Sequence, residues 1–318
     1  MLAFPTLLSN VILFVLLIVP GFILGKIKKI DRISFDSITN ILMYLAIPFL
    51  VFVKLIQTDL STLSPIALLF CVFFPPLTTF SVYFISIPVF PQKDNNRWRA
   101  SRFCSFFSNC GFLGIPLSEV LFPNHPEVTV YISLFNASST FVLLTFGVYS
   151  LSGNKRDMSV RSAIFSPAMF AIVFGVLFSL LHVADRFPQI ITYSEAFSSL
   201  TLPLPMLVLG VELSRLPFSA LFKTAGLYAV AALKLLAMPM ITVLVMLLLQ
   251  CCGLAMSEPL MAAMFIATAV PSPSSASAMA KKYGLDSEYA AILTLGTTIL
   301  CVVTLPLLYM LAGVILGW

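Results

Sequence analysis

Charged residues are scarce in this chain of 318 residues, because only 10% of them are charged while 59% are hydrophobic. An ordinary soluble domain carries about 25% charged residues, so this chain has too few to cover a soluble surface. The mean hydropathy of the chain is +1.03, and its apolar residues are grouped in repeated runs. A run of about twenty apolar residues can cross a bilayer as a helix. We therefore predict an all-α protein that crosses the membrane many times.

Catalytic residue sets are also lacking. The aspartates fall in loops or at the ends of apolar runs, and the two histidines, His125 and His182, are far apart. Intramembrane hydrolysis needs a carboxylate pair or a Ser–His–Asp set at depth, and the apolar runs hold neither. No GxxxxGK[ST] loop is present to hold the phosphates of ATP. We expect no enzymatic activity, no cofactor and no ATP hydrolysis by this chain.

Other site signatures are missing as well. The six cysteines show no CxxC pairing and mostly lie in apolar runs, which favours small buried side chains over a metal site or disulfide framework. The net charge of +5 is spread over short loops, so we attribute it to membrane orientation rather than to nucleic-acid binding. No basic residue precedes the first apolar run, and the first charge is Lys26, so we expect no cleavable signal peptide.

The apolar runs predict ten membrane spans separated by short polar loops. The eighth and tenth spans are long for a single crossing, so part of their length is expected to be tilted or to lie at the membrane surface. The predicted spans are residues 6–25, 34–56, 64–90, 100–122, 128–151, 161–182, 189–213, 219–250, 259–281 and 286–317.

Basic residues alternate in density along the loops. The loops after the odd-numbered spans hold 15 of the 18 lysines and arginines, whereas the loops after the even-numbered spans hold only Lys54 and Arg186. Cytoplasmic loops are the ones enriched in basic residues. The asymmetry supports the count of ten spans and predicts a protein of the cell (inner) membrane with both termini on the outer side.

Five spans followed by five place the two halves of the chain in opposite orientations. We predict one five-helix repeat at residues 1–152 and an inverted repeat at 161–318, joined by a short cytoplasmic linker at 153–160. Prolines fall at matching places, with Pro48 in span two and Pro203 in span seven. An inverted repeat with interrupted helices at corresponding positions is typical of secondary transporters.

Span four contains residues that are unsuited to a continuous helix. Gly111 and Gly114 permit non-helical backbone, and Pro116 lacks an N–H and crowds the carbonyl four residues back. Asn109 adds a polar side chain to the same segment. Backbone groups freed in hydrocarbon persist only where protein or a wet cavity receives them. We predict a substrate-binding break here. The alternative is a packed, kinked helix whose glycines allow close helix contact.

Span nine contains a second break at the matching place, formed by Pro271, Ser272, Pro273, Ser274 and Ser275. We predict that the second half-helix begins at Pro116 in span four and at Pro273 in span nine, with Ser272 as the N-cap. Two helix N-termini that point inward from opposite sides favour an anion such as a carboxylate. The serines could instead bond locally to helix carbonyls.

One basic residue, Lys234, lies inside span eight with apolar residues for more than a turn on either side. A charge inside the membrane is costly and is a functional hypothesis by default. Lys234 could complement a substrate anion or change its protonation during transport, or it could snorkel to the cytoplasmic surface. In span five, Asn136 belongs to a polar group that could face the same cavity or bond to neighbouring helices.

The motifs at these positions resemble those of the auxin efflux carrier family. The run Asn-x-x-x-Leu-Gly-Ile-Pro-Leu at 109–117 is similar to the fourth-helix motif of the family. Ala-Val-Pro at 269–271 and Ala-Lys-x-Tyr at 280–283 resemble its ninth helix and the exit from it. Lys-Leu-x-x-Met-Pro at 234–239 is similar to the eighth-helix pattern of bacterial members. With the ten-span topology, the resemblance covers essentially the whole chain.

The resemblance implies a fold similar to that of bile-acid sodium symporters, in which spans four and nine cross at their breaks. It implies a scaffold of spans 1, 2, 6 and 7, often dimeric, and a moving transport domain of spans 3–5 and 8–10. Family substrates are organic anions, such as auxin or malate- and malonate-type dicarboxylates, and the carboxylate site would be lined by Asn109, Pro116 and Pro271. The serines around Pro273 and the short central loop differ from plant carriers and match a bacterial-type permease better.

The main hypothesis is a secondary active or facilitative carrier of small carboxylates that works by alternating access, as an elevator around the crossed helices. Its expected partners are the substrate, the lipid bilayer, a second copy of the chain and either H⁺ or Na⁺ as coupling ion, with uniport also open. The alternative is a membrane sensor or scaffold that binds a ligand without moving it. The short loops, which hold no output domain, argue against the alternative.

Overall fold

The computed structural model describes residues 4–92, 96–215, 218–254 and 256–317. Within these residues the chain consists of helices joined by short turns, with no β-strand. A backbone in hydrocarbon has to satisfy its own N–H and C=O groups, and a helix does so within one segment. The all-α architecture predicted from composition is confirmed for the described part of the chain.

In the first half, the described residues form α-helices that are linked in places by single turns of π-helix. The α-helices are α1 (Phe4–Lys26), α2 (Arg32–Ile41), α3 (Ile47–Gln57), α4 (Pro65–Val89), α5 (Arg97–Phe106), α6 (Ile115–Leu121), α7 (Pro126–Val142) and α8 (Val148–Ser152). The π-helical turns are Leu42–Ala46, Cys110–Gly114 and Leu143–Gly147, and a 3₁₀ turn lies at Leu60–Thr62.

The second half follows a 3₁₀ turn at Lys155–Asp157. Its α-helices are α9 (Val160–Ile164), α10 (Pro167–Leu180), α11 (Val183–Arg186), α12 (Gln189–Ser198), α13 (Pro203–Arg215), α14 (Phe218–Lys223), α15 (Ala225–Ala231), α16 (Met238–Cys251), α17 (Glu258–Ala269), α18 (Ala276–Lys282) and α19 (Ser287–Leu316). A 3₁₀ turn at Ser199–Thr201 and a π-helical turn at Ala232–Ala237 complete the described elements.

Eight helical segments of the described residues are long and apolar enough to cross a membrane, so the chain is a multi-pass membrane protein. Two shorter apolar helices, Leu16–Lys26 and Glu258–Ala269, lie in the predicted first and ninth spans. The second of these is short because the backbone leaves helical geometry after Ala269. The count of ten spans and the inverted repeat stay predictions. The eight long segments are Ile33–Gln57, Pro65–Val89, Arg97–Leu121, Pro126–Ser152, Lys155–Leu180, Gln189–Arg215, Ala225–Cys251 and Ser287–Leu316.

The predicted eighth span, 219–250, begins too early. Helix α14 ends at Lys223, and Thr224 is extended, with φ −92° and ψ 94°, before α15 begins at Ala225. The membrane-spanning segment is therefore Ala225–Cys251. Lys223 and Thr224 interrupt the apolar pattern at this point, and they mark the end of the short helix that precedes the span.

Three of the four π-helical turns in the described residues end two residues before a proline. Ahead of Pro116, the Ile115 N–H donates to Cys110 O, five residues back. The same bond pattern precedes Pro48 and Pro239. A proline ring crowds the carbonyl four residues back, and the wider π turn relieves that contact. The helices therefore continue through these prolines instead of starting at them.

Arg102 lies inside α5 rather than in a loop, and its side chain is buried. Its guanidinium donates to Phe90 O from Nε at 3.0 Å and from Nη2 at 2.7 Å, and it also lies 4.6 Å from the centre of the Trp98 ring. Phe90 follows the last residue of α4, where carbonyls lack helical partners. This arginine, which counts toward the loop charge pattern, therefore closes the C-terminal end of a neighbouring helix.

Glycines let α1 and α13 cross at very short range. A Cβ placed on Gly21 would overlap the carbonyl oxygen of Leu207, and one placed on Gly210 would overlap the carbonyl oxygen of Ile18. A Cβ on Gly25, four residues after Gly21, would overlap the side chain of Ser214 in α13. Membrane helices associate through close packing because lipid is as apolar as their side chains, and small residues four apart permit it.

The strongest helix contacts fall into two groups. In one group α1 packs on α13, and α3 packs on α10 and α12. In the other, α7 packs on α4 and α17, and α19 packs on α15 and α18. Contacts between the groups, such as those of α1 with α19 and of α3 with α7, are less extensive.

Two apolar clusters fill the interior, and both helix breaks lie between them. In span four, the chain leaves one cluster at Phe107 and enters the other at Cys110. In span nine, the chain leaves the cluster of Cys110 at Val270 and enters the cluster of Phe107 at Ala276. The two segments therefore run between the clusters in opposite directions, and the layer between the clusters is where their polar groups meet.

The glycine crossing predicts a stability effect. Gly21→Ala should lower the unfolding temperature of the protein in detergent, because its Cβ meets backbone that can only move by separating α1 from α13. Overpacking of this kind costs about 1–3 kcal/mol. Leu16→Ala, an exposed position on the same helix, is the matched control. Equal unfolding temperatures for the two variants would contradict the close crossing.

Candidate functional site

The two predicted breaks meet through a backbone hydrogen bond. Helix α5 ends at Phe106, and Phe107 is extended, with φ −106° and ψ 148°. Helix α17 ends at Ala269, and Val270 is extended, with φ −66° and ψ 155°. Between these ends, the Asn109 N–H donates to the carbonyl oxygen of Pro271 at 2.8 Å. The freed backbone of each segment thus finds a partner in the other.

Ser272 ties the span-nine break to two further helices. Its hydroxyl donates to the carbonyl oxygen of Cys104 in α5 at 2.6 Å, and its backbone N–H donates to the Thr297 hydroxyl of α19 at 3.2 Å. The Thr294 hydroxyl, one turn earlier in α19, donates to Pro273 O at 3.2 Å. Cys104 O lies in the last turn of α5, where carbonyls lack helical partners. The side chains of the crossing therefore replace the missing helical hydrogen bonds.

The Asn109 side chain is only half satisfied. Its Oδ1 accepts from the Ser274 hydroxyl at 3.4 Å, whereas its Nδ2 has no hydrogen-bond partner among the described residues. The residue is 3% exposed and therefore lies in the buried part of the crossing. A buried donor without an acceptor costs about 1–3 kcal/mol. An acceptor group on a ligand could pair with this buried amide.

Lys234 lies at the same level, in the π-helical turn of span eight. Its side chain is fully buried, and Nζ donates to the Ser108 hydroxyl at 2.8 Å, to Thr268 O at 2.7 Å and to the Met238 sulfur at 3.2 Å. None of the carboxylates in the described part of the chain pairs with it. The snorkelling alternative does not fit this geometry, because the amino group is buried and bonded to three acceptors inside the protein.

Of the other predicted site residues, some lie near the crossing of the two breaks and some do not. Gly111 lies beside Asn136, since a Cβ on the glycine would come 3.2 Å from the amide oxygen of Asn136. Gly114 packs on the Cys110 sulfur, which a Cβ would approach to 3.2 Å. Ser275 is exposed and makes no side-chain cap bond at the start of α18, so it is not brought into the buried cluster.

The predicted starts of the two half-helices are wrong. In span four helical geometry begins at Cys110, because the π-helical turn carries the helix through Pro116. In span nine α18 begins at Ala276, and Ser272 is not its N-cap but bonds sideways to α5 and α19. Proline is tolerated in the first helical turn but does not by itself mark the start.

The residues that sequence reasoning missed are mainly neutral hydrogen-bond partners. Thr268, Thr294 and Thr297 lie in apolar helices, where a threonine usually bonds to its own helix. The signal that could have found two of them is the cluster of threonines at 294–298 in an otherwise apolar span. Lys54 and Glu119 form an ion pair of 2.7 Å between α3 and α6.

Comparisons with known proteins agree with this architecture. A family model described as a membrane transport protein matches residues 6–309. An uncharacterized transporter from Methanothermobacter thermautotrophicus is 25% identical over 307 residues, which cover 94% of this chain and 96% of that protein. Both similarities extend across the two breaks and the lysine of span eight.

The bond network at the crossing predicts that Ser272→Ala destabilises the fold. The substitution removes the donor to Cys104 O and leaves that carbonyl buried without a partner, which costs about 1–3 kcal/mol. Ser37→Ala, at an exposed serine that bonds only within its own helix, is the matched control. The measurement is the unfolding temperature in detergent, and a value for Ser272→Ala equal to that of the control would contradict the role of this bond.

Proposed function

The chain belongs to the membrane transport protein family, which is the auxin efflux carrier family that its motifs resemble, and on this premise we propose that it moves small organic anions across a membrane. The proposed substrates are carboxylates of the monocarboxylate or dicarboxylate class. The proposed mechanism is alternating access by secondary active or facilitative transport, without chemical change to the substrate.

The observation that carries the proposal is the unpaired Nδ2 of Asn109 at the meeting point of the two breaks. A donor needs an acceptor, and an ionised carboxylate offers only acceptor atoms. The Lys234 amino group lies close by, because its partner Ser108 directly precedes Asn109. An ammonium without a carboxylate partner, in a medium of low dielectric constant, favours an anion over a neutral or cationic ligand.

The helical segment of span four adds to this preference. It begins at Cys110, and Leu113 is the first of its residues whose N–H bonds back along the helix, to Asn109 O at 3.0 Å. The preceding N–H groups face the break with the positive end of the helix dipole. They would stabilise the same carboxylate that Asn109 binds.

Helix packing supports an elevator-type movement. Spans 1, 2, 6 and 7 correspond to the group that contains α1, α3, α10, α12 and α13, and we propose that this group is a scaffold that also forms a dimer. Spans 3–5 and 8–10 correspond to the second group. Asn109, Lys234, Pro271 and Thr297 all belong to this second group, so the site would move as one unit.

The proposed orientation follows from the loop charges. The loops that follow spans one, three, five, seven and nine are rich in basic residues, which favours a cytoplasmic location for these loops. Both termini would then lie on the outer side of the cell membrane. In this arrangement residues 1–152 and 161–318 are inverted repeats, and their two breaks approach the site from opposite faces. The opposite directions in which the breaks pass between the two apolar clusters support this relation.

The proposal predicts carboxylate flux that depends on Asn109. Purified protein in liposomes should take up a labelled monocarboxylate or dicarboxylate, and Asn109→Ala should lower the flux at least tenfold, the loss expected for one hydrogen bond to a charged group. Asn109→Asp, nearly the same size, should be at least as inactive because it places a negative charge where the anion binds.

Asn154→Ala, in the exposed linker, is the matched control and should retain full flux. Uptake of only neutral or cationic solutes would contradict the anion proposal. Saturable binding of a carboxylate without flux or exchange would instead favour the sensor alternative.

A further inference from the structure

The Lys234 amino group has the hydrogen-bond arrangement of a bound cation. An ammonium carries three N–H donors and no acceptor. Three acceptors surround Nζ, namely Ser108 Oγ at 2.8 Å, Thr268 O at 2.7 Å and Met238 Sδ at 3.2 Å. Donors and acceptors therefore match in number, and the side chain is fully buried.

One of these acceptors lies at the end of a half-helix. Thr268 is the residue before the last of α17, and its carbonyl is among those that lack a helical partner. The residue that would supply the helical N–H, Ser272, donates to Thr297 instead. The C-terminal end of a helix carries a partial negative charge. The Lys234 ammonium thus donates a hydrogen bond to the C-terminal end of α17 and also places a positive charge beside it.

Carriers with broken helices use the same position for a mobile ion. Exposed backbone carbonyls and the C-terminal ends of half-helices coordinate the Na⁺ or H⁺ that couples transport. Here the carbonyl of Thr268 is already taken by a covalently attached ammonium. The described residues of the ninth span also offer no carboxylate at the break, and Glu258 lies at the opposite end of α17. A sodium ion at this place would have to displace Lys234. Its oxygen ligands would then be the uncharged Ser108 hydroxyl and Thr268 carbonyl.

We propose that Lys234 is a resident cation, which occupies the place of a coupling ion at the end of α17 and makes transport independent of sodium; this inference rests on the proposed carrier function. The ammonium stays with the site during the transport cycle. The charge carried across the membrane in each turnover is then that of the substrate alone. Ser108 connects the resident cation to Asn109, so the positive charge acts on the carboxylate next to it.

The π-helical turn explains why a lysine can hold this place. Helix α15 and helix α16 are joined by Ala232–Ala237, and the extra residue in that turn sets Lys234 toward α17 one turn before Met238. Met238 lies directly before Pro239, and its backbone N–H donates to Leu233 O to close the π-helical turn. Its sulfur is a soft and adaptable neighbour for the ammonium. The geometry is therefore built into the backbone of span eight.

The first test compares ion dependence. In liposomes that contain wild-type protein, carboxylate flux should be unchanged when sodium is replaced by choline on both sides. The flux should respond to a membrane potential imposed with potassium and valinomycin. Lys234→Met, of similar length but without the charge, should lower flux at least tenfold, whereas Lys29→Ala at an exposed lysine should not.

The second test restores the cation without the covalent link. Lys234→Ala removes three methylene groups and the ammonium, which together correspond to n-propylammonium. Added n-propylammonium should raise the unfolding temperature of Lys234→Ala in detergent more than that of the wild type. Neutral n-propanol, of nearly the same shape, should raise it less. This readout needs no transported substrate, so it does not depend on the substrate class.

The outcomes separate this inference from the proposed function. Carboxylate flux in the wild type that requires a sodium gradient would overturn the resident cation while leaving the carrier intact. A proton gradient that drives uphill uptake at zero potential through wild type but not Lys234→Met would also overturn it, because the lysine would then carry a transported proton. Equal stabilisation of Lys234→Ala by n-propanol and n-propylammonium would overturn it by showing that only volume is restored.

Discussion

The structure depends on one constraint, which is that backbone groups freed inside a membrane need partners within the protein. The bond from Asn109 N to Pro271 O meets this constraint for two helices at once. Each break therefore supplies a hydrogen-bond partner for the other. The bonds of Ser272 to α5 and α19 extend the same solution to the neighbouring helix ends. We propose that the remaining polar groups of the layer contact the substrate.

That polar layer is thin and lies between two apolar clusters, and two of its features are left uncompensated by the protein. Asn109 Nδ2 has no acceptor among the described residues, and Lys234 has acceptors but no counter-charge. A fold that is otherwise well satisfied at the crossing therefore carries one unpaired donor and one unbalanced charge. The proposed carboxylate substrate would reduce both deficits.

The breaks could be located from the sequence because the residue types themselves identify them. Glycine, proline and asparagine inside an apolar span conflict with a lipid-exposed helix whatever the fold, so the segments around Asn109 and Pro271 could be predicted. The exact helix starts could not, because a π-helical turn absorbs Pro116 and only tertiary bonds decide what Ser272 contacts. The depth of Lys234 was left open for a related reason. A lysine near a span end and one at a buried helix terminus look alike in sequence, and the three acceptors come from distant parts of the chain.

The most direct test of the central claim is to locate a carboxylate in the protein itself. Crystals grown with a bromine-substituted carboxylate should give an anomalous peak beside the crossing, with the carboxyl group within hydrogen-bond distance of Asn109 Nδ2 and the Lys234 ammonium still on Thr268 O. A carboxylate bound elsewhere at saturating concentration, with the Asn109 amide still unpaired, would contradict the account.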